Sequence, residues 1–162
     1  AKDIGLDCIE FILDYNDVNY NPLIKKDGIT EILSVINQTG VEVKSICADY
    51  FMEAPLHSEN PKSAESSATL LSSLLNNVSK LGVKDIVIPC VDQSSLNSQA
   101  AVDRFVENLM PIIEIAEDKN TSIIKLCCPC PIVFLKFFAV FKQIPTVKDH
   151  LCKFIISLEG RT

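Results

Sequence analysis

Three signatures are missing from this chain. No G-x-G-x-x-G, no G-x-x-x-x-G-K-[ST] and no G-x-S-x-G occurs in its 162 residues, which removes the commonest dinucleotide, phosphate-loop and serine-hydrolase sites. Positive charge is also short: 15 Lys and Arg stand against 21 Asp and Glu, a net charge of −6. The lysines are scattered, whereas phosphate backbones are gripped by clustered Lys and Arg, so no nucleic-acid partner is expected. The most apolar stretch, residues 123–141, is broken by Lys125, Pro129, Pro131 and Lys136. No spanning helix and no membrane partner are expected, and the chain reads as soluble. Seven cysteines, an odd count, leave no complete disulfide framework. With no signal-peptide pattern, that points to a reducing, cytoplasmic setting. A composition of 48% hydrophobic and 22% charged residues is globular, and the length suits one core rather than two.

What the sequence does contain is a repeated unit. In Leu81-Gly82-Val83-Lys84-Asp85-Ile86-Val87-Ile88-Pro89-Cys90-Val91-Asp92 a helical pattern ends at a glycine, a β-branched run follows, and a carboxylate stands where the run stops. Gly82 suits the left-handed conformation that closes a helix, and Ile86 to Ile88 suit a strand buried on both faces. The same order recurs at Gly5 to Asp14 and at Gly40 to Asp49, and more weakly at Asn120 to Ile124. The spacing exceeds the minimum for a βαβ crossover, so the pattern predicts at least four parallel strand-helix units of an α/β fold.

In chain order, residues 1–5 read as the last turn of a helix, which suggests that something N-terminal to it has been cut away. Cys8 to Leu13 is the first strand, Ile29 to Ile36 a short amphipathic helix, and Val41 to Cys47 the second strand. Asp49 to Ser58 reads as a long loop. Asn60-Pro61 starts a helix with the stripe Ala68, Leu71, Leu75, Val78 and Leu81. After the third strand, Asn97 or Ser98 caps a longer helix whose stripe runs from Val102 to Ala116, with Pro111 expected to kink it or shift its first turn. Residues 1–123 form the unit so organised. Residues 124–162, richer in Cys and Phe and weak in periodicity, read as a divergent C-terminal segment packed on the same domain.

Glu10, Asp14, Asp49 and Asp92 fall at or near the carboxyl ends of expected strands, the edge where α/β folds bind ligands. Such acids also cap turns and helices, and the two readings stay open for Glu10 and Asp49, while capping is preferred for Asp14. Asp92, Gln93 and Ser94 are candidates for hydrogen bonds to the hydroxyls of a bound ligand. His57, in the loop after the second strand, is a candidate contact to substrate or phosphate; a lone loop histidine is otherwise simply solvated. Cys127, Cys130, His150 and Cys152 have spacings compatible with structural zinc, and Cys127 with Cys130 with redox chemistry. The preferred reading is that these are cysteines in an apolar segment. Cys8, Cys47 and Cys90, inside strands, read as core.

Together, Gly5-Leu6-Asp7-Cys8-Ile9-Glu10-Phe11, Val43-Lys44-Ser45-Ile46-Cys47-Ala48-Asp49-Tyr50, Pro55-Leu56, Leu81-Gly82-Val83 through Pro89, and Ile115-Ala116-Glu117 resemble the xylose isomerase-like TIM-barrel family of sugar (phosphate) isomerases and epimerases. The resemblance implies a partial (β/α)8 TIM barrel of about four to five units, corresponding to barrel strands two to five. It also implies a small sugar or sugar phosphate as partner. In a complete family enzyme, one divalent metal (Mn, Mg, Co or Zn) is held on strands five to eight, and two glutamates act as acid and base.

Those positions do not transfer. Leu126 stands where the first glutamate is expected, and Asp149-His150-Leu151 does not resemble the sixth strand although Pro145-Thr146-Val147-Lys148 matches its lead-in. The run Ile156-Ser157-Leu158-Glu159 is either the missing catalytic strand behind an insertion or a coincidence, and coincidence is preferred. No catalytic residue is therefore assigned, no cofactor is expected in this chain itself, and the chain reads as the N-terminal part of such an enzyme, inactive alone. A full barrel takes roughly 250 residues and eight strands, so bare sheet edges make a homo-oligomer a live expectation. The alternatives are a non-enzymatic self-associating binding module and a zinc-dependent endonuclease-like barrel. The second is disfavoured by the acidic charge and by having only two histidines.

Overall fold

The computed structural model describes residues 1–127. Expectations for the C-terminal segment, the cysteine and histidine set ending at Cys152, and the Ile156–Glu159 run fall wholly or partly outside the described residues.

Four strands follow one another in the chain: β1 (Cys8–Ile12), β2 (Glu42–Cys47), β3 (Asp85–Cys90) and β4 (Ser122–Cys127). They pair in that same order, β1-β2-β3-β4, and every pairing is parallel. Between them lie α1 (Gly28–Thr39), the short α2 (Tyr50–Glu53), α3 (Pro61–Val78) and α4 (Gln99–Asp118). The turn that launches each strand is left-handed in all four units: φ is +79° at Gly5, +70° at Gly40, +73° at Gly82 and +52° at Asn120. Asparagine is among the few residues besides glycine that tolerate this region, so the fourth unit keeps the geometry with a different residue.

The caps form as the sequence suggested. The Asn60 side chain accepts from the Lys62 amide at 3.0 Å, ahead of Pro61 in the first helical position. Ser98, rather than Asn97, caps α4 by accepting from the Ala101 amide at 3.1 Å. Each such bond satisfies one of the amides a helix start leaves open, a contribution of about 1 kcal/mol. α3 buries Ala64, Ser67, Leu71, Leu74, Leu75 and Val78, and α4 buries Ala101, Val102, Phe105, Leu109, Ile112 and Ala116. The two helices pack on each other, and α4 also packs on β4.

Several expectations need correction. α4 starts at Gln99, so Pro111 lies well inside it and does not shift its first turn. Pro111 is exposed, which keeps its ring out of the packed face. The start of the chain forms a single 3-10 turn, Lys2–Ile4. The loop after β2 contains α2, a helix too short to leave a periodic trace. Finally, Cys8 is exposed and Cys47 half-buried; only Cys90 is core. β1 lies at one end of the described sheet, with a register shift between Ile9 and Glu10, and a strand flanked on one side only leaves its residues in solvent.

Candidate functional site

The register fixes which side chains share a face. In parallel strands, partners across the ladder leave the sheet on the same side, and successive residues alternate. Phe11, Ile46, Ile86 and Ile123 are partners in turn; Ile46, Ile86 and Ile123 are buried, so this is the covered face. On the opposite face one row reads Glu10, Ser45, Asp85, Ser122, and the next reads Ile12, Cys47, Val87, Ile124. None of these eight is buried. The sheet therefore has a half-open face that carries both polar and apolar groups.

Two acids are bonded to side chains that β2 presents on that face. Ser45 Oγ donates to Glu10 Oε2 at 2.8 Å, and Cys47 Sγ donates to Asp49 Oδ1 at 3.0 Å. Burial pushes the Cys47 thiol up to about 12, helped by the Asp49 hydrogen bond and by the charges of Asp49 and Glu10. A thiol in that state is neither nucleophile nor metal ligand at neutral pH; it serves to orient Asp49. Glu10 and Asp49 each keep one carboxylate oxygen without a hydrogen bond among the described residues. A free carboxylate oxygen at a half-open surface is a strong acceptor for a hydroxyl group.

The loops at the carboxyl ends are tied into this arrangement. Leu13 donates its amide to Cys47 O at 2.9 Å, Tyr50 to Leu13 O at 2.8 Å, and Ala48 to Val87 O at 2.8 Å. The ladder thus continues past the strand ends and fixes Asp14 and Asp49 just beyond it. The turn after β3 is Asp92–Ser94. Asp92 is exposed with φ of +49°, and Gln93 Nε2 donates to Glu53 Oε1 of α2 at 2.9 Å. Ser94 is fully buried. Its Oγ lies 2.9 Å from Val91 O and 3.1 Å from Pro89 O, and accepts from the Val91 amide. That hydroxyl has one proton and spends it inside the turn, so Ser94 shapes the loop that presents Asp92 and Gln93.

His57 stands apart from the two acids. It is only 7% exposed, lies with its ring 6.2 Å from that of Phe105 in α4, and has its backbone carbonyl bound by Arg104 Nε at 2.9 Å. The structure thus ties Glu10 to Ser45 and Asp49 to Cys47 on the same strand, bonds Gln93 to Glu53, and leaves His57 against α4. Ser45, Cys47 and Glu53 were not singled out from sequence. Alternation along β2 puts Ser45 and Cys47 on the face of Asp49, a signal that was available; Glu53 lies on the short helix that was not.

Among the described residues, no group of three or more His, Cys, Asp or Glu side chains is placed to hold a metal ion. Glu10, Cys47 and Asp49 do not fit a divalent cation, because the thiol is held protonated and bonded to Asp49. Among those residues no helix is long and apolar enough to cross a membrane.

No curated protein matches the chain. Solved structures do. D-psicose 3-epimerase of Clostridium cellulolyticum H10, solved with D-tagatose, is similar with a TM-score of 0.58 and 18% identity, over 76% of this chain and 43% of that one. 3-Keto-D-glucoside 4-epimerase of E. coli gives 0.60 and 16%, over 76% and 47%. D-allulose 3-epimerase of Methylomonas sp. gives 0.62 and 14%, over 86% and 50%. At these identities the likeness establishes the fold, and the chain spans half the length of these proteins or less. The model of the xylose isomerase-like TIM-barrel family matches residues 1–127, the whole of the four described strands and the helices between them. The chain belongs to that family.

Proposed function

We propose that this chain supplies four consecutive β/α units of a sugar isomerase or epimerase barrel. In this reading Glu10 and Asp49, with Asp92 and Gln93 on the next turn, take the hydroxyls of a small sugar or sugar phosphate. The observation that carries it is that β2 holds both Glu10, through Ser45, and Asp49, through Cys47, at the half-open face of a parallel sheet. Family membership supports the chemistry, since similar structures are epimerases of ketoses and of a keto-glucoside. Carboxylates that keep one oxygen free suit vicinal hydroxyls, and the apolar row Ile12, Val87 and Ile124 beside them suits the C–H face of a sugar ring.

The acid–base pair and the divalent metal belong, in this reading, outside the described residues, and the chain alone binds sugar without turning it over. Titration of the isotope-labelled chain with D-fructose, D-tagatose and a ketose phosphate tests it by NMR. Amides of residues 10, 45–49 and 92–93 are expected to shift together; shifts confined to other surfaces, or none at millimolar sugar, would contradict it.

Self-association is a second reading, favoured by the apolar groups around β1. Ile4 is 77% exposed, Ile12 46% and Tyr20 78%, and β1 has a strand on one side only within the described sheet. Sedimentation equilibrium is expected to give a species heavier than 17.9 kDa that reverts towards monomer in Ile12→Lys. A concentration-independent monomer removes this reading.

A further inference from the structure

The loop between α2 and α3 is held at three carbonyls by side chains of the two long helices. Ser67 Oγ of α3 donates to Ala54 O at 2.8 Å. From α4, Asn108 Nδ2 donates to Leu56 O and Arg104 Nε to His57 O, both at 2.9 Å. The turn itself closes with Ser58 donating to Pro55 O at 3.0 Å. Leu56 is 1% exposed and His57 7%. Within this anchored loop one atom stands out: His57 Nδ1 is buried and has no hydrogen-bond partner.

We propose that His57 is an acid-sensitive latch, closed when its ring is neutral and released when the ring takes a proton, so that the 54–59 loop detaches from α4. A neutral imidazole tolerates an idle acceptor nitrogen at modest cost, but protonation turns that nitrogen into a charged donor facing no acceptor. The charge would also face Arg104, the cation that α4 sets beside the ring, while Glu59 of the same loop lies 3.5 Å from the far end of that guanidinium. The other groups that α3 and α4 send to the loop, Ser67 and Asn108, are uncharged, and Phe105 walls the ring. Nothing there offsets a proton except water, which the ring reaches by swinging outward.

Burial, and secondarily Arg104, holds the ring's affinity for a proton below the ordinary 6.5. The unfolded or opened form therefore binds the proton first. The closed state is fully favoured above pH 6.5 and loses ground as the pH falls from there towards the folded-state value. Release also reaches the candidate site. The segment ahead of the latch is α2, whose Glu53 holds Gln93, so an open loop uncouples the two turns that carry Asp49 and Asp92.

Amide hydrogen exchange of Ser58 and Asn60, whose amides bond Pro55 O and Ser58 Oγ, corrected for intrinsic rates and followed from above to below pH 6.5, tests the latch. Protection at these two amides is expected to be lost on acidification while that of β2 and β3 persists, and His57→Phe is expected to hold it flat. Equal loss in His57→Phe, or flat protection in the wild type, overturns the latch. The ring resonances of wild-type His57 give a reading that needs no substitution. A midpoint below 6.5 that moves with the loop amides supports the latch, and a midpoint at or above 6.5 overturns it.

Discussion

Gly28→Ala is expected to destabilise the protein by about 3 kcal/mol, lowering the thermal midpoint by about 10 °C, because the new methyl has nowhere to go. A Cβ built at Gly28 would lie 2.1 Å from Pro22 O and 2.7 Å from the Pro22 carbonyl carbon and Cα. These are backbone atoms, not the end of a flexible side chain. The Asn21–Gly28 segment is fixed by its own bonds: Asn21 Nδ2 donates to Ile12 O at 3.0 Å, and Asn21 Oδ1 accepts from the Leu23 amide at 3.0 Å. Leu23 is fully buried, and its carbonyl accepts from Asn77 Nδ2 of α3 at 2.9 Å. Moving Pro22 therefore disturbs the attachment of this loop to β1 and α3. In an open helix the same change would stabilise by about 1 kcal/mol, so even the sign is informative. Gly82→Ala is the comparison. It has φ of +73° and no atom within 4 Å of the added carbon, so it pays only for a left-handed backbone, about 1 kcal/mol. Thermal or urea unfolding that ranks Gly82→Ala as the more damaging would contradict the packing described here.

Phe105→Ala is expected to remove about 3–5 kcal/mol, the usual range for deleting a buried aromatic ring. Phe105 is 1% exposed on the face that α4 turns towards the core, and α4 is the helix that packs against both α3 and β4. Its loss also opens the wall beside His57. Water admitted there should raise the proton affinity of the ring towards its ordinary value and shrink the acid sensitivity of the 54–59 loop. Phe105→Leu, which refills most of the volume, is expected to lose about 1–2 kcal/mol and to keep that sensitivity. Urea titration reads the stability, and an unchanged slope shows that the comparison is between like states. A Phe105→Ala midpoint within error of wild type would mean that the helix does not depend on this ring.

The units of the fold were legible because their signals are local. Each strand is announced by a turn residue in the left-handed region and by an apolar run, the first three also by a terminal acid, and all four turn residues adopt that conformation. The caps at Asn60 and Ser98 were local too. What escaped the sequence depends on contacts between distant segments. Cys8 has the composition of a core strand, and its exposure follows from the place of β1 in the sheet, which no window of sequence shows. His57 looked like a solvated loop residue; its burial is imposed by Arg104, Phe105 and Asn108, which follow it in the chain by 47 to 51 residues. Gly28 carried no turn signal, because its role is close approach to Pro22 and not an unusual φ.

The candidate site was legible in part. The placement of Asp49 and Asp92 beyond strand ends follows from the repeat itself. The link between Glu10 and β2 could not be read, because it passes through a register shift between Ile9 and Glu10 that sets which residue of β2 stands opposite. That shift puts Glu10 beside Ser45, inside the sheet face rather than on its rim. The Cys47 thiol, read from sequence as core, proves to be the group that orients Asp49.

Calorimetric titration of a ketose into the wild-type chain and into Asp49→Ala tests the account most directly, with Glu114→Gln, an exposed change on α4, as control. If the half-open face binds sugar hydroxyls through Asp49, the alanine variant stays folded and loses at least about tenfold in affinity, or about 1.4 kcal/mol, while the control binds as wild type. Equal affinity in all three proteins would contradict the account, because the sugar would then be held somewhere other than the strip shared by Glu10 and Asp49.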